Sequence, residues 1–141
     1  MNILKHFING QYVAGSEDNL FELVSPVNGE TYALSPSAGR SEVDQAYSAA
    51  KSAFAVWKHS TPSQRQLALL KLADAIEHNV DRLAQAQSQE TGQLRHFIEK
   101  EEIAASCDAL RFFAGAALCL EGKASYEYPP GLTSTIRREP L

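Results

Sequence analysis

The run Phe112-Phe113-Ala114-Gly115-Ala116-Ala117-Leu118 constrains this chain more than any other feature. It reads as helix, and it is apolar on every side. A helix apolar all round has to be buried all round. A chain of 141 residues has room for one core and can barely enclose such a helix alone. The expectation is that this helix meets another domain or subunit.

The helical pattern extends well upstream. From Ser41, read as an N-cap with Asp44 in an acidic first turn, apolar residues fall at Val43, Ala46, Tyr47, Ala50, Ala53, Phe54 and Trp57. Thr61-Pro62-Ser63-Gln64 starts a second helix: Thr61 caps, Pro62 takes the first helical position and Gln64 closes a capping box. Its stripe is Leu69, Leu72, Ala73, Ile76, Val80 and Leu83, with a bend at Asn79 and a glycine cap at Gly92. A third segment, about Leu94 to Glu121, carries Phe97, Ile103, Cys107, Leu110, Ala114 and Ala117 and stops at Gly122.

Residues 1–40 read differently, as short strands and turns. Asn9-Gly10 lies between apolar stretches in Phe7 to Val13 and supplies the positive φ angles of a tight hairpin. Phe21 to Val24 and Thr31 to Leu34 flank the turn Ser25 to Glu30, and Pro36 and Gly39 end the β region. Past the helices, Leu132 to Arg138 has strand character and no partner in view. The fold class is therefore α+β and mainly helical: N-terminal hairpin strands, three or four helices, then a C-terminal strand. The divisions are a strand/turn region at 1–40, a helical region at 41–122 and a strand region at 123–141, together one incomplete domain.

Several functions are excluded by composition. The net charge of −4 shows no basic face for nucleic acid. No apolar run approaches the ~18 residues of a membrane span, and the N-terminus lacks the apolar core of a signal peptide. Cys107 and Cys119 are twelve positions apart, about 18 Å along a helix, too far for a disulfide. Reduced thiols point to the cytoplasm. Both cysteines sit among apolar residues, where a thiol is inert. The four histidines are scattered without metal-ligand spacing, and Glu99-Lys100-Glu101-Glu102 reads as a solvated helix face. There is no Gly-x-Gly-x-x-Gly, P-loop, Cys-x-x-Cys or His-Glu-x-x-His, and no catalytic residue is assigned.

The order of the pieces resembles the N-terminal segment of the aldehyde dehydrogenase superfamily. The resemblance rests on Phe7 to Val13, on Ser25-Pro26-Val27-Asn28-Gly29-Glu30 with Ser25 in place of the usual Asn, and on Asp44 to Trp57. It continues through Pro62 to Arg65, Glu90-Thr91-Gly92-Gln93 with Gln93 in place of Lys, Arg111 to Gly115, and Arg137 to Leu141. The stretch from Arg111 looks most like bacterial γ-aminobutyraldehyde dehydrogenases, near the betaine aldehyde dehydrogenases.

The resemblance implies NAD- or NADP-dependent oxidation of an aldehyde, such as 4-aminobutanal, to a carboxylate through a cysteine thiohemiacetal. The family's catalytic Cys and Glu, its oxyanion Asn and its dinucleotide motifs lie beyond Leu141, so this chain alone is expected to be inactive. Full-length relatives imply a homodimer or homotetramer, with the tail starting the oligomerisation sheet. A K+ or Na+ half-site is implied at the carbonyls of Leu23 and Val24 with Glu102, or Glu101 at one residue's shift. Gly115 and Leu118 fall at the substrate entrance, where some aminoaldehyde-specific relatives carry acidic residues. The competing readings are a stand-alone binding or assembly module that keeps the fold without the chemistry, and an unrelated helical scaffold.

Overall fold

The computed structural model describes residues 2–16, 18–119, 125–127 and 129–136. Strands β1 (Asn2–Ile3), β4 (Leu20–Val24) and β5 (Thr31–Pro36) form one sheet in the order β1-β5-β4, with β1 parallel and β4 antiparallel to β5. Strands β2 (His6–Ile8) and β3 (Gln11–Val13) form a separate hairpin. Its turn has positive φ at both Asn9 (52°) and Gly10 (75°), as Asn-Gly predicts. The short β1 carries no turn or alternation cue and was not expected.

Helix α1 (Arg40–Trp57) starts one residue before the expected cap. Gly39 holds the N-cap position, and its N–H donates to the Glu42 carboxylate at 2.9 Å. Ser41 lies inside the first turn, where its Oγ accepts from the Gln45 amide. Asp44 instead pairs with Arg40 on an exposed face. The expected core stripe of α1 is not core. None of its residues is buried, and Tyr47 is 77 % exposed. Among the described elements α1 touches chiefly β2, so its apolar face stays open.

Helix α2 (Pro62–His78) follows the expectation closely. Thr61 Oγ1 accepts from the Gln64 N–H, and Gln64 Oε1 accepts from the Thr61 N–H at 2.8 Å, with Pro62 at the start. Asn79 ends α2 and begins α3 (Val80–Thr91), and Gly92 closes α3 in the left-handed region at φ 76°. The last helical stretch has three parts: α4 (Arg95–Phe97), a five-residue π-helical turn (Ile98–Glu102) and α5 (Ile103–Ala116). The wider π-turn resets the helical phase. Ile98 therefore points into the core, while Phe97, expected there, is half exposed.

The core lies where α2, α3 and α5 meet. It consists of Ala73, Ala84, Ile98, Ile103 and Cys107, flanked by Ile76, Val80 and Leu110. The three small side chains let the helix axes approach closely, and α2 against α5 is the main helix contact.

Helix α5 ends at Ala116, short of the expected Glu121, and Gly122 lies outside the described residues. Of the apolar run that closes it, Ala114 is buried, whereas Phe112, Phe113 and Leu118 are 71 %, 61 % and 50 % exposed. Burial on every side is thus not met within the described chain. The tail strand does have a local partner. Strand β6 (Ser125–Glu127) pairs antiparallel with β7 (Thr133–Thr135) around Pro129-Pro130-Gly131, Gly131 having φ 79°.

The two thiols differ, which corrects the expectation that both are shielded. Cys107 is 1 % exposed, and burial pushes its thiol up from the ordinary 9.0, whereas Cys119 is exposed. An aromatic disulfide reagent is expected to titrate one thiol per native chain quickly, at Cys119. The second should react only after unfolding, and equal rates at both positions would contradict this packing.

Candidate functional site

The residues singled out for cation binding converge on two irregularities of the backbone. In the β4–β5 ladder the register shifts between Leu23 and Val24: Leu23 faces Ala33 and Val24 faces Thr31, so Tyr32 is the extra residue. Such a bulge locally interrupts the ladder and re-aims backbone groups. Glu102 closes the π-turn, the second irregularity.

The intervening turn links the two. Ser25 is buried; its N–H donates to the Glu30 carbonyl at 2.9 Å and its carbonyl accepts from Gly29 at 2.8 Å. Its Oγ accepts from the Val27 N–H at 3.3 Å, the same local capping an Asn side chain gives, so Ser25 is a workable replacement. The turn then brings Pro26 against Gly92, where an added Cβ would lie 3.2 Å from Pro26 Cγ. Gly92 is followed by Gln93, whose amide donates to Glu102 Oε1 at 2.8 Å.

Glu102 is consequently not part of a solvated face. It is half-buried, and its other oxygen accepts from Gln87 Nε2. Gln87 also donates to Gln93 Oε1 at 2.9 Å, and Ser88 Oγ donates to the Gln93 carbonyl at 2.7 Å. Both donors to the carboxylate are neutral amides. Among the described residues no Lys, Arg or His pairs with Glu102. Gln87 and Ser88 carried no sequence cue; their role depends on α3 running beside the π-turn. Glu101, the alternative ligand, is exposed.

At the far end of α5, Gly115 and Leu118 lie on the open surface, and a Cβ at Gly115 would meet nothing within 4 Å. Close helix packing does not account for either residue. One turn earlier, Arg111 crosses to α2. Its guanidinium grips Glu77 in a two-point pair at 2.6 and 2.7 Å and reaches Asp74 at 3.1 Å. The Arg111 hydrogen bond holds the Glu77 carboxyl below its ordinary 4.5, and Arg111 is itself pushed up. Because Glu77 binds its proton less readily folded than unfolded, its contribution is full above pH 4.5 and lost as pH falls through the lowered value. The Glu77→Gln variant should show a shallower acid limb in melting temperature against pH. An unchanged limb would mean that this pair does not couple to folding.

The described residues do not fit a dinucleotide. Pyrophosphates sit at free helix N-termini. The start of α1 is occupied by the Glu42 carboxylate, α2 is closed by its Thr61–Gln64 box, and α3 begins against α2 with Asp81 in its first turn. A phosphate would meet anions or spent donors. Nor do the described residues contain a group of three or more His, Cys, Asp or Glu side chains able to hold a metal ion. A monovalent cation asks less: oxygen donors and one negative charge. The half-buried Glu102 beside a bulged strand end meets that description.

The aldehyde dehydrogenase family profile matches residues 12–141. The chain belongs to the aldehyde dehydrogenase family. It is 35 % identical over 136 residues to an aldehyde dehydrogenase of Emericella nidulans, covering 96 % of this chain and 27 % of that protein. It is 36 % identical over 116 residues to a 2-aminomuconic semialdehyde dehydrogenase of Danio rerio, covering 82 % and 23 %. Among solved structures, an aldehyde dehydrogenase described as putative from Burkholderia cenocepacia superposes with a TM-score of 0.81 at 30 % identity, over 91 % of this chain and 26 % of that one. An NAD-dependent benzaldehyde dehydrogenase from Corynebacterium glutamicum gives 0.79 at 28 %, over 90 % and 28 %. The chain thus spans about a quarter of the length of these relatives. The α+β architecture is that of the aldehyde dehydrogenase N-terminal segment.

Proposed function

We propose that this chain is the N-terminal part of an NAD(P)-dependent aldehyde dehydrogenase that oxidises a small aldehyde to its carboxylate. The observation that carries the reading is the family match over residues 12–141, against relatives about four times as long. In this reading the chain supplies framework rather than chemistry. Its buried thiol, Cys107, is raised and shielded, the opposite of what a nucleophile needs. The catalytic cysteine, the water-activating carboxylate and the cofactor donors would come from chain beyond these residues.

An amine-bearing aldehyde such as 4-aminobutanal is the proposed substrate class. Support comes from the stretch after Arg111 and from the amino group in the name of one relative's substrate. Gly115 and Leu118 would form an uncharged part of the substrate entrance, leaving the ammonium to be met elsewhere. The proposed whole enzyme is a cytoplasmic homodimer or homotetramer, with β6–β7 opening the assembly sheet. The proposed K+ or Na+ half-site uses the Leu23 and Val24 carbonyls with Glu102.

The test is NADH formation by the full-length enzyme with 4-aminobutanal, betaine aldehyde and propanal. The reading expects aldehyde-dependent reduction of the cofactor, fastest with 4-aminobutanal. Turnover confined to propanal would overturn the substrate class, and no turnover with any aldehyde would overturn the activity.

A further inference from the structure

We propose that Gln87 and Gln93 are positioning residues that set the cation preference of the Glu102 half-site. The inference rests on the cation reading above.

A carboxylate taken partly out of water normally acquires a cationic partner, because desolvation of an unpaired charge is costly. Glu102 acquires two amides instead. Gln93 Nε2 holds one oxygen at 2.8 Å and Gln87 Nε2 holds the other. The amides are fixed in turn: Gln93 Oε1 accepts from Gln87 at 2.9 Å and from Thr91 Oγ1 at 3.4 Å. Neutral donors orient the carboxylate without cancelling its charge. The π-turn places Glu102 at the end of α3, beside the Gly92–Gln93 loop on which Pro26 rests.

The surroundings also limit the kind of cation. One carboxylate amid neutral oxygen donors suits a monovalent ion, whereas divalent sites recruit several carboxylates. With an ammonium at position 93, the side chain would become the counter-ion itself and remove the need for a free one. Gln93 is therefore the residue that decides between a built-in and a recruited positive charge, and Gln87 keeps the second oxygen aimed.

The test measures melting temperature and 23Na line broadening for the full-length chain in NaCl or KCl against tetramethylammonium chloride at equal ionic strength. Wild type should melt higher in the alkali salts and broaden the sodium signal, and Glu102→Gln should abolish both. Gln93→Lys should abolish the salt-specific rise while melting in tetramethylammonium as well as wild type does, or better. Gln93→Met and Gln87→Met, which keep side-chain bulk, should weaken sodium binding at least tenfold. If wild type responds and Glu102→Gln does not, but Gln93→Lys and both Met variants still respond like wild type, the positioning role is wrong and the cation reading stands. If wild type shows no alkali-specific effect, or Glu102→Gln keeps it, the cation reading fails and the proposal with it.

Discussion

Replacing Ile98 by Ala should destabilise the chain by about 2–5 kcal/mol, the largest effect of any single truncation here. Ile98 is 0 % exposed and is one of the two largest fully buried side chains, the other being Cys107. It enters the core only because the π-turn resets the phase of the helix. Its neighbours are chiefly small, Ala73, Ala84 and Cys107 among them. They hold few side-chain atoms that could swing in to fill a void, which places the loss toward the upper end. Chemical denaturation of wild type, Ile98→Ala and Ile98→Val checks this. The Val variant should lose only about 0.5–1.5 kcal/mol. An Ala variant within 1 kcal/mol of wild type would mean that the core does not lie where α2, α3 and α5 meet.

The second large effect is expected from adding one methyl group. At Gly15 a Cβ would stand 2.5 Å from Pro36 Cβ, 2.7 Å from Pro36 Cγ and 2.8 Å from His6 Nε2. Pro36 is a buried, rigid ring at the end of β5, and it cannot rotate away. Gly15→Ala should therefore push the chain between β3 and β4 off the sheet, at a cost of about 1–3 kcal/mol. The matched control is Gly115→Ala, where a Cβ meets nothing. That change should be neutral or slightly stabilising, because Ala is the better helix former. Thermal melts of the two variants should separate clearly. Equal melting temperatures would contradict the close approach at Gly15.

Local chemistry was legible wherever a short segment dictates its own geometry. Asn9-Gly10, the Thr61–Gln64 box, the break at Asn79 and the cap at Gly92 need no tertiary information, and all four stand as read. Burial was less legible. The α1 stripe has helical periodicity, yet periodicity shows only that a face is apolar and not what covers it. The π-turn was invisible because its cause lies across the fold. Glu102 is drawn toward Gln87 and Gln93, and no spacing rule announces a single extra residue per turn. The partner of β7 was missed for a simpler reason: Ser125 to Glu127 is too short to show alternation. Of the candidate site, Glu102 was named from family resemblance. The amides that hold it depend on α3 lying beside the π-turn, and the grip of Arg111 on Glu77 depends on α2 lying beside α5. A linear sequence does not display either juxtaposition.

The central claim is that these 141 residues are framework for a dehydrogenase and carry none of its chemistry. Absorbance at 340 nm tests it most directly, with the purified 141-residue chain, NAD and an excess of 4-aminobutanal or propanal. The account predicts no rate above buffer with either aldehyde, at any chain concentration. NADH formation that depends on both the aldehyde and the chain, and that survives Cys119→Ser, would contradict it.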